Sequence, residues 1–246
     1  MAYPNFKNKH LQEALFHPED FLKYNNIKGK FPTKYIITYQ SRAKSHFLRI
    51  YKPKKVRLYS LLTMYIYKDI GFIKMSGIGA PISSAILEEL ISLGGKEFLN
   101  IGTAGGLDKQ GVFLCTKALR DEGTSHHYLA QGRFSYPNQD LTTRFEKQLK
   151  HSGIPYREGT TWTIDAPYRE TKAEIEHYKK QGIATVEMEA SALFAVAQVR
   201  KVKLASAFVV SDILGKEWKP KFKKFDVVRS QNQLIDAAVE FFAKRG

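Results

Sequence analysis

From residue 35 onward, short apolar runs alternate with longer stretches of helical spacing. Tyr35-Ile36-Ile37-Thr38-Tyr39 predicts one strand and Ile70-Gly71-Phe72-Ile73-Lys74-Met75 another. Ile82, Ile86, Leu90 and Leu93 then recur at spacings of four, four and three, which lines one face of a helix over 81–93. Pro81 suits its first turn and Gly94-Gly95 its exit. Phe98-Leu99-Asn100-Ile101 reads as a buried strand running into the loop Gly102-Thr103-Ala104-Gly105-Gly106. The nearly unbroken apolar stretch 189–197 predicts a buried helix, 204–211 a core strand ending at Asp212, and 234–242 part of a last helix. Ahead of all this, Leu11, Leu15, Phe16, Phe21 and Leu22 predict a short amphipathic helix packed on the body.

Strands alternating with helices predict an α/β sandwich around a mixed, largely parallel sheet. In such sheets ligands bind beyond the carboxyl ends of the strands, so the residues that follow each strand matter most. The length of 246 residues suits one domain, 1–246, with 1–30 as an N-terminal extension. Cys115 is the only cysteine, which excludes a disulfide within the chain and suits a reducing compartment. Met1 to His10 lacks the apolar core of a signal peptide, and no run approaches the ~18 apolar residues of a membrane span. A cytoplasmic location with no membrane partner is the expectation.

Charge adds one question. With 39 Lys and Arg against 24 Asp and Glu, the formal charge is +15. That suggests nucleic acid, an acidic membrane or a small phosphorylated ligand as partner. The basic residues gather at Lys52 to Arg57 and at Lys216 to Lys224, and a solvated surface accounts for both runs. No RRM-type aromatic motif accompanies them, so nucleic acid is not the expected partner.

Among motifs, Gly77-Ile78-Gly79-Ala80-Pro81-Ile82 begins like a dinucleotide fingerprint, but Ile82 stands at the third glycine position. No phosphate loop and no zinc-type Cys/His spacing occurs, and the rings of His126 and His127 would point to opposite faces of a strand. Three strand-end clusters carry chemistry instead. Gly102 to Gly106 lets a ligand approach the backbone, beside the Thr103 hydroxyl. Glu187-Met188-Glu189 places two carboxylates at the entrance of an apolar helix, where unpaired charge is costly. Val209-Val210-Ser211-Asp212 ends a hydrophobic strand on a carboxylate placed for acid/base work.

In order and spacing, Gly77-Ile78-Gly79, Gly102-Thr103-Ala104-Gly105-Gly106, Val186-Glu187-Met188-Glu189-Ala190 and Val210-Ser211-Asp212 resemble the nucleoside phosphorylase family. This family includes the purine and uridine phosphorylases and related nucleosidases. Asp121-Glu122-Gly123-Thr124-Ser125 and Gly159 to Asp165 look like its uridine-phosphorylase-like branch. The resemblance runs from about Lys34 to the end and implies a three-layer α/β/α sandwich. It implies cleavage of a nucleoside by phosphate, with no cofactor, in a homo-oligomer: a dimer, or a hexamer built from dimers. It also implies roles: Glu189 on the ribose hydroxyls, Met188 beneath the sugar, Glu187 lining the base and sugar pocket, and Trp162 against the base. Thr103, Arg42 and Arg57 would bind phosphate, with Arg57 reaching across a subunit interface. Asp212 would protonate the departing base, and Arg169 could bond a pyrimidine oxygen.

Three departures keep alternatives open. Thr38-Tyr39-Gln40 stands where the family has a Gly-Asp-Pro phosphate turn, and Asn100 where an arginine is common. Hydrolysis by water, or a weakened relative that only binds nucleoside, are the alternatives. Asp212 leans towards purines, while the segment around Trp162 leans towards uridine. The pyrimidine branch's Gln-x-Arg contact does not follow Asp165.

Overall fold

Among the described residues the chain forms eleven strands and seven α-helices, including those that the alternation above predicts. The computed structural model describes residues 3–130, 132–215 and 217–244. Lys216, which opens the second basic run, lies outside them, as do Met1, Ala2, Arg245 and Gly246 of the expected domain. The elements are α1 (Pro18–Tyr24), β1 (Lys34–Thr38), α2 (Ser41–Tyr51), β2 (Lys54–Arg57), β3 (Thr63–Tyr67), β4 (Ile70–Lys74) and α3 (Ala80–Ser92). Then come β5 (Glu97–Gly106), β6 (Val112–Asp121), β7 (Phe134–Ser135), α4 (Gln139–His151), β8 (Tyr156–Ile164) and α5 (Lys172–Lys180). Last are β9 (Ile183–Glu187), α6 (Ala190–Val199), β10 (Lys203–Leu214), β11 (Trp218–Pro220) and α7 (Phe225–Ala243).

The strands form one mixed sheet in the order β11-β10-β6-β8-β9-β5-β1-β4-β3-β2. Its centre, β4-β1-β5-β10, is parallel, as expected of strands joined through helices. Because β5 also pairs with β10, the strands β5, β10, β6, β8 and β9 close into a ring. Helices cover both faces. Phe47 of α2, Phe145 of α4 and Leu234 and Phe242 of α7 bury against one, and Ile86 and Leu90 of α3 and Leu193 and Phe194 of α6 against the other. Each such side chain contributes about 1.5–3 kcal/mol on burial. The α/β sandwich is therefore built as the pattern predicts.

Three local expectations change. The glycines at 102–106 continue β5 rather than leaving it. A Cβ on Gly105 would sit 2.4 Å from Leu214 Cδ1, and one on Gly106 would sit 2.6 Å from the Lys109 carbonyl. These glycines let neighbouring strands close in. In the N-terminal segment only Leu22 is buried, while Leu11, Leu15 and Phe16 face solvent, so the apolar positions do not form one packed face. His126 and His127 lie in a 3-10 turn, not a strand.

Candidate active site

Parallel pairing carries the ends of β1, β4, β5 and β10 to the same side of the sheet, where the strand-end clusters meet. β9 runs against β5 with Val186 opposite Gly105, so the chain after Val186 heads back towards Thr103. Gly105 also faces Asp212 on β10. Val186 and Asp212 thus flank β5, about 10 Å apart at ordinary strand spacing.

Glu189 reaches across the cleft. Its Oε1 accepts from the Gly79 N–H at 2.6 Å, tying the 77–79 loop to the start of α6. Gly79 has a φ of +106°, a conformation that favours glycine and aims this N–H at the carboxylate. Glu187 behaves differently. Its Oε2 accepts from the backbone N–H groups of Glu189 and Ala190 at 2.8 and 2.7 Å, and its Oε1 accepts from Thr163 Oγ1 at 2.5 Å. Those bonds cap the orphan donors of α6. The structure therefore gives Glu187 a capping role in place of the pocket lining expected of it. Burial, and then the Glu189 charge, push the Glu187 carboxyl up, and burial pushes Glu189 up. Two carboxylates this close and this buried do not both ionise freely. Met188 between them is the partly exposed residue.

Beyond the end of β1, Thr38 Oγ1 donates to Gln40 Oε1 at 3.1 Å, and Gln40 Nε2 donates to Thr103 Oγ1 at 3.0 Å. Gln40 thus occupies Thr103 from the position of the missing turn. Tyr39 and Ser83 hold buried hydroxyls that meet no full hydrogen-bond geometry among the described residues. Burial and then Glu189 push Tyr39 well above its usual range. Arg42 is exposed in the first turn of α2, next to Gln40. Asn100 is fully buried, donating from Nδ2 to Ser206 Oγ at 3.1 Å, and does not stand in for an arginine. Arg57 ends β2, four strands from β5 and so about 19 Å away, and the fold does not bring it to this chain's own cluster.

Trp162 is corrected outright. Alternation along β8 sends Thr163 to Glu187 and Trp162 to the other face. There it is fully buried with Leu119, Ile175 and Val186, stacks at a tilt on Tyr178, and donates from Nε1 to Asp121 Oδ2 at 2.8 Å. It leaves no exposed ring face on which a base could stack. Asp212 is largely buried, with Ser211 Oγ donating to Oδ1 and Trp218 Nε1 to Oδ2, both at 2.8 Å. Arg169 is exposed in the 3-10 turn Pro167–Arg169.

Next to it, Glu170 is pushed up to about 7 by burial and then by the Asp212 and Glu174 charges. Against an ordinary value of 4.5, the folded state holds the extra proton between those two limits, so stability falls as pH rises through that window. Glu170→Gln should flatten the loss of thermal stability between pH 5 and 8. The recovered stability at pH 8 should be on the order of 1 kcal/mol after solvent screening. Melting curves across that range check it, and an unchanged slope would remove Glu170 from the account.

Comparison with known proteins places these features in a wider set. Residues 51–243 match the family model described as the Phosphorylase superfamily. A purine nucleoside phosphorylase of the DeoD type from Exiguobacterium sp. is 25% identical over 241 residues, covering 94% of each chain. A uridine phosphorylase from Haemophilus influenzae is 30% identical over 137 residues, 48% of this chain and 54% of its own length. In fold, an AMP nucleosidase from Bacteroides thetaiotaomicron superposes with a TM-score of 0.76 at 19% identity, over 94% of this chain and 100% of that one.

Proposed function

We propose, because the chain belongs to the phosphorylase superfamily, that it is a nucleoside phosphorylase releasing free base and ribose 1-phosphate, with purine nucleosides ahead of uridine. The observation that carries this reading is the convergence of Gly79, Thr103, Glu189 and Asp212 at one end of the parallel strands, with Glu189 bonded to the Gly79 N–H. A phosphate oxygen attacks the sugar carbon and forms the new C–O bond. The C–N bond breaks, its electron pair leaves with the base, and a proton from the Asp212 carboxyl reaches the base nitrogen. Glu189 accepts the ribose hydroxyls and offsets positive charge developing on the sugar. Met188 packs beneath the sugar. Arg42 and Thr103 hold phosphate, and Arg57 serves a neighbouring subunit of a homo-oligomer. Arg169 lies beside the base end.

Hydrolysis is the second reading, favoured by Gln40, whose amide engages Thr103 where a phosphate oxygen would bind. The two readings part on one assay. Inosine, adenosine or uridine should be consumed only when phosphate is supplied, with ribose 1-phosphate as product. Equal turnover in phosphate-free buffer, with free ribose as product, assigns the chain to the nucleosidases instead.

A further inference from the structure

Asp212 is the proposed acid, yet both of its oxygens already accept hydrogen bonds, and the two donors differ in kind. Ser211 Oγ at Oδ1 can turn and become an acceptor, so Oδ1 can carry a proton. The Trp218 indole at Oδ2 only donates, so that oxygen stays an acceptor while the contact lasts. The contact is built by the hairpin of β10 and β11, in which Leu214 faces Trp218 and Asp212 faces Pro220. A further bond, from Lys221 N to the Ser211 carbonyl at 2.8 Å, ties the far end of the hairpin down. Trp218 nevertheless remains 61% exposed, with its ring 6.3 Å from that of Phe222. An exposed indole whose edge bonds a buried carboxylate offers its ring to an unstacked heterocycle beside that acid.

We propose that Trp218 is the positioning residue of the base subsite: its N–H fixes Asp212 so that Oδ1 is the proton-bearing oxygen, and its ring receives a purine or pyrimidine base. The proposal rests on the phosphorylase or nucleosidase reading of the site and names the residue that aims its acid. Trp218→Phe keeps the ring and removes the donor.

The test uses the whole chain and the nucleoside it turns over best. Trp218→Phe should lower kcat about tenfold, the equivalent of one charge-assisted hydrogen bond, with KM within about twofold. In an Asp212→Asn background the same substitution should cost nothing further, because the group it positions is gone. Binding gives a second readout. Only Trp162, fully buried, and Trp218 contribute tryptophan emission. Adenine, hypoxanthine or uracil should therefore quench the wild-type signal and leave Trp218→Phe unmoved.

Losses that multiply in the double variant, or wild-type emission indifferent to every base while nucleoside is cleaved, overturn the proposal. Quenching without any cleavage keeps Trp218 at the base and overturns the enzymatic reading instead.

Discussion

Glu189→Gln should lower kcat/KM by about 10²–10³ while leaving the fold intact, a loss of roughly 3–4 kcal/mol of transition-state stabilisation. The substitution is well matched to the geometry. A glutamine oxygen still accepts from the Gly79 N–H that Glu189 engages at 2.6 Å, so the 77–79 loop keeps its anchor. On the proposed reading, what disappears is the negative charge that offsets the developing positive charge of the sugar, and with it the strong acceptor for ribose hydroxyls. Stability should hold or rise slightly, because removing one of two adjacent buried carboxylates relieves the repulsion that pushes Glu187 up. Steady-state kinetics with nucleoside and phosphate, paired with a melting curve, separate the two effects. A rate close to wild type would take Glu189 out of the site.

Trp162→Ala should act in the opposite way, lowering stability by about 3–5 kcal/mol, or on the order of 10 °C in Tm, with little change in KM for the folded fraction. The indole fills a fully buried cluster between β8, β9 and α5, and its loss leaves a cavity. Trp162→Phe, which refills most of the space, should recover much of the stability. A Trp162→Phe enzyme with normal Tm but a raised KM for nucleoside would restore the base-stacking role that the structure withdraws.

These two residues also show what the sequence could and could not disclose. Helix α3 was legible because its apolar residues keep a spacing that nothing interrupts, and Glu189 because two carboxylates before an apolar helix need a reason. Trp162 was misplaced by the resemblance although alternation held the answer. Thr163 opposite Glu187 and Trp162 opposite Val186 follow from a period of two once β8 and β9 are paired. Acidic residues ahead of a helix can cap it, but the side-chain pattern does not say that Glu187 rather than Glu189 does so, because the capped groups are backbone N–H groups. The Trp218 contact depends on a turn after Leu214 that brings a residue six positions on back to Asp212, and composition there shows only a basic run.

That basic run and its counterpart find a shared explanation in the ends of the sheet. With the ring closed, the strand path ends at β2 and β11, and each coincides with a cluster of positive residues: Lys54, Lys55 and Arg57 on one, Lys219 with Pro220 on the other. Unsatisfied backbone donors and acceptors along a terminal strand invite pairing with another chain. Lysines repel a second copy of the same margin, and proline withholds an N–H. These edge lysines can therefore be understood as protection against strand-to-strand aggregation, which makes acidic substitutions at Lys54 and Lys219 a question of solubility before catalysis.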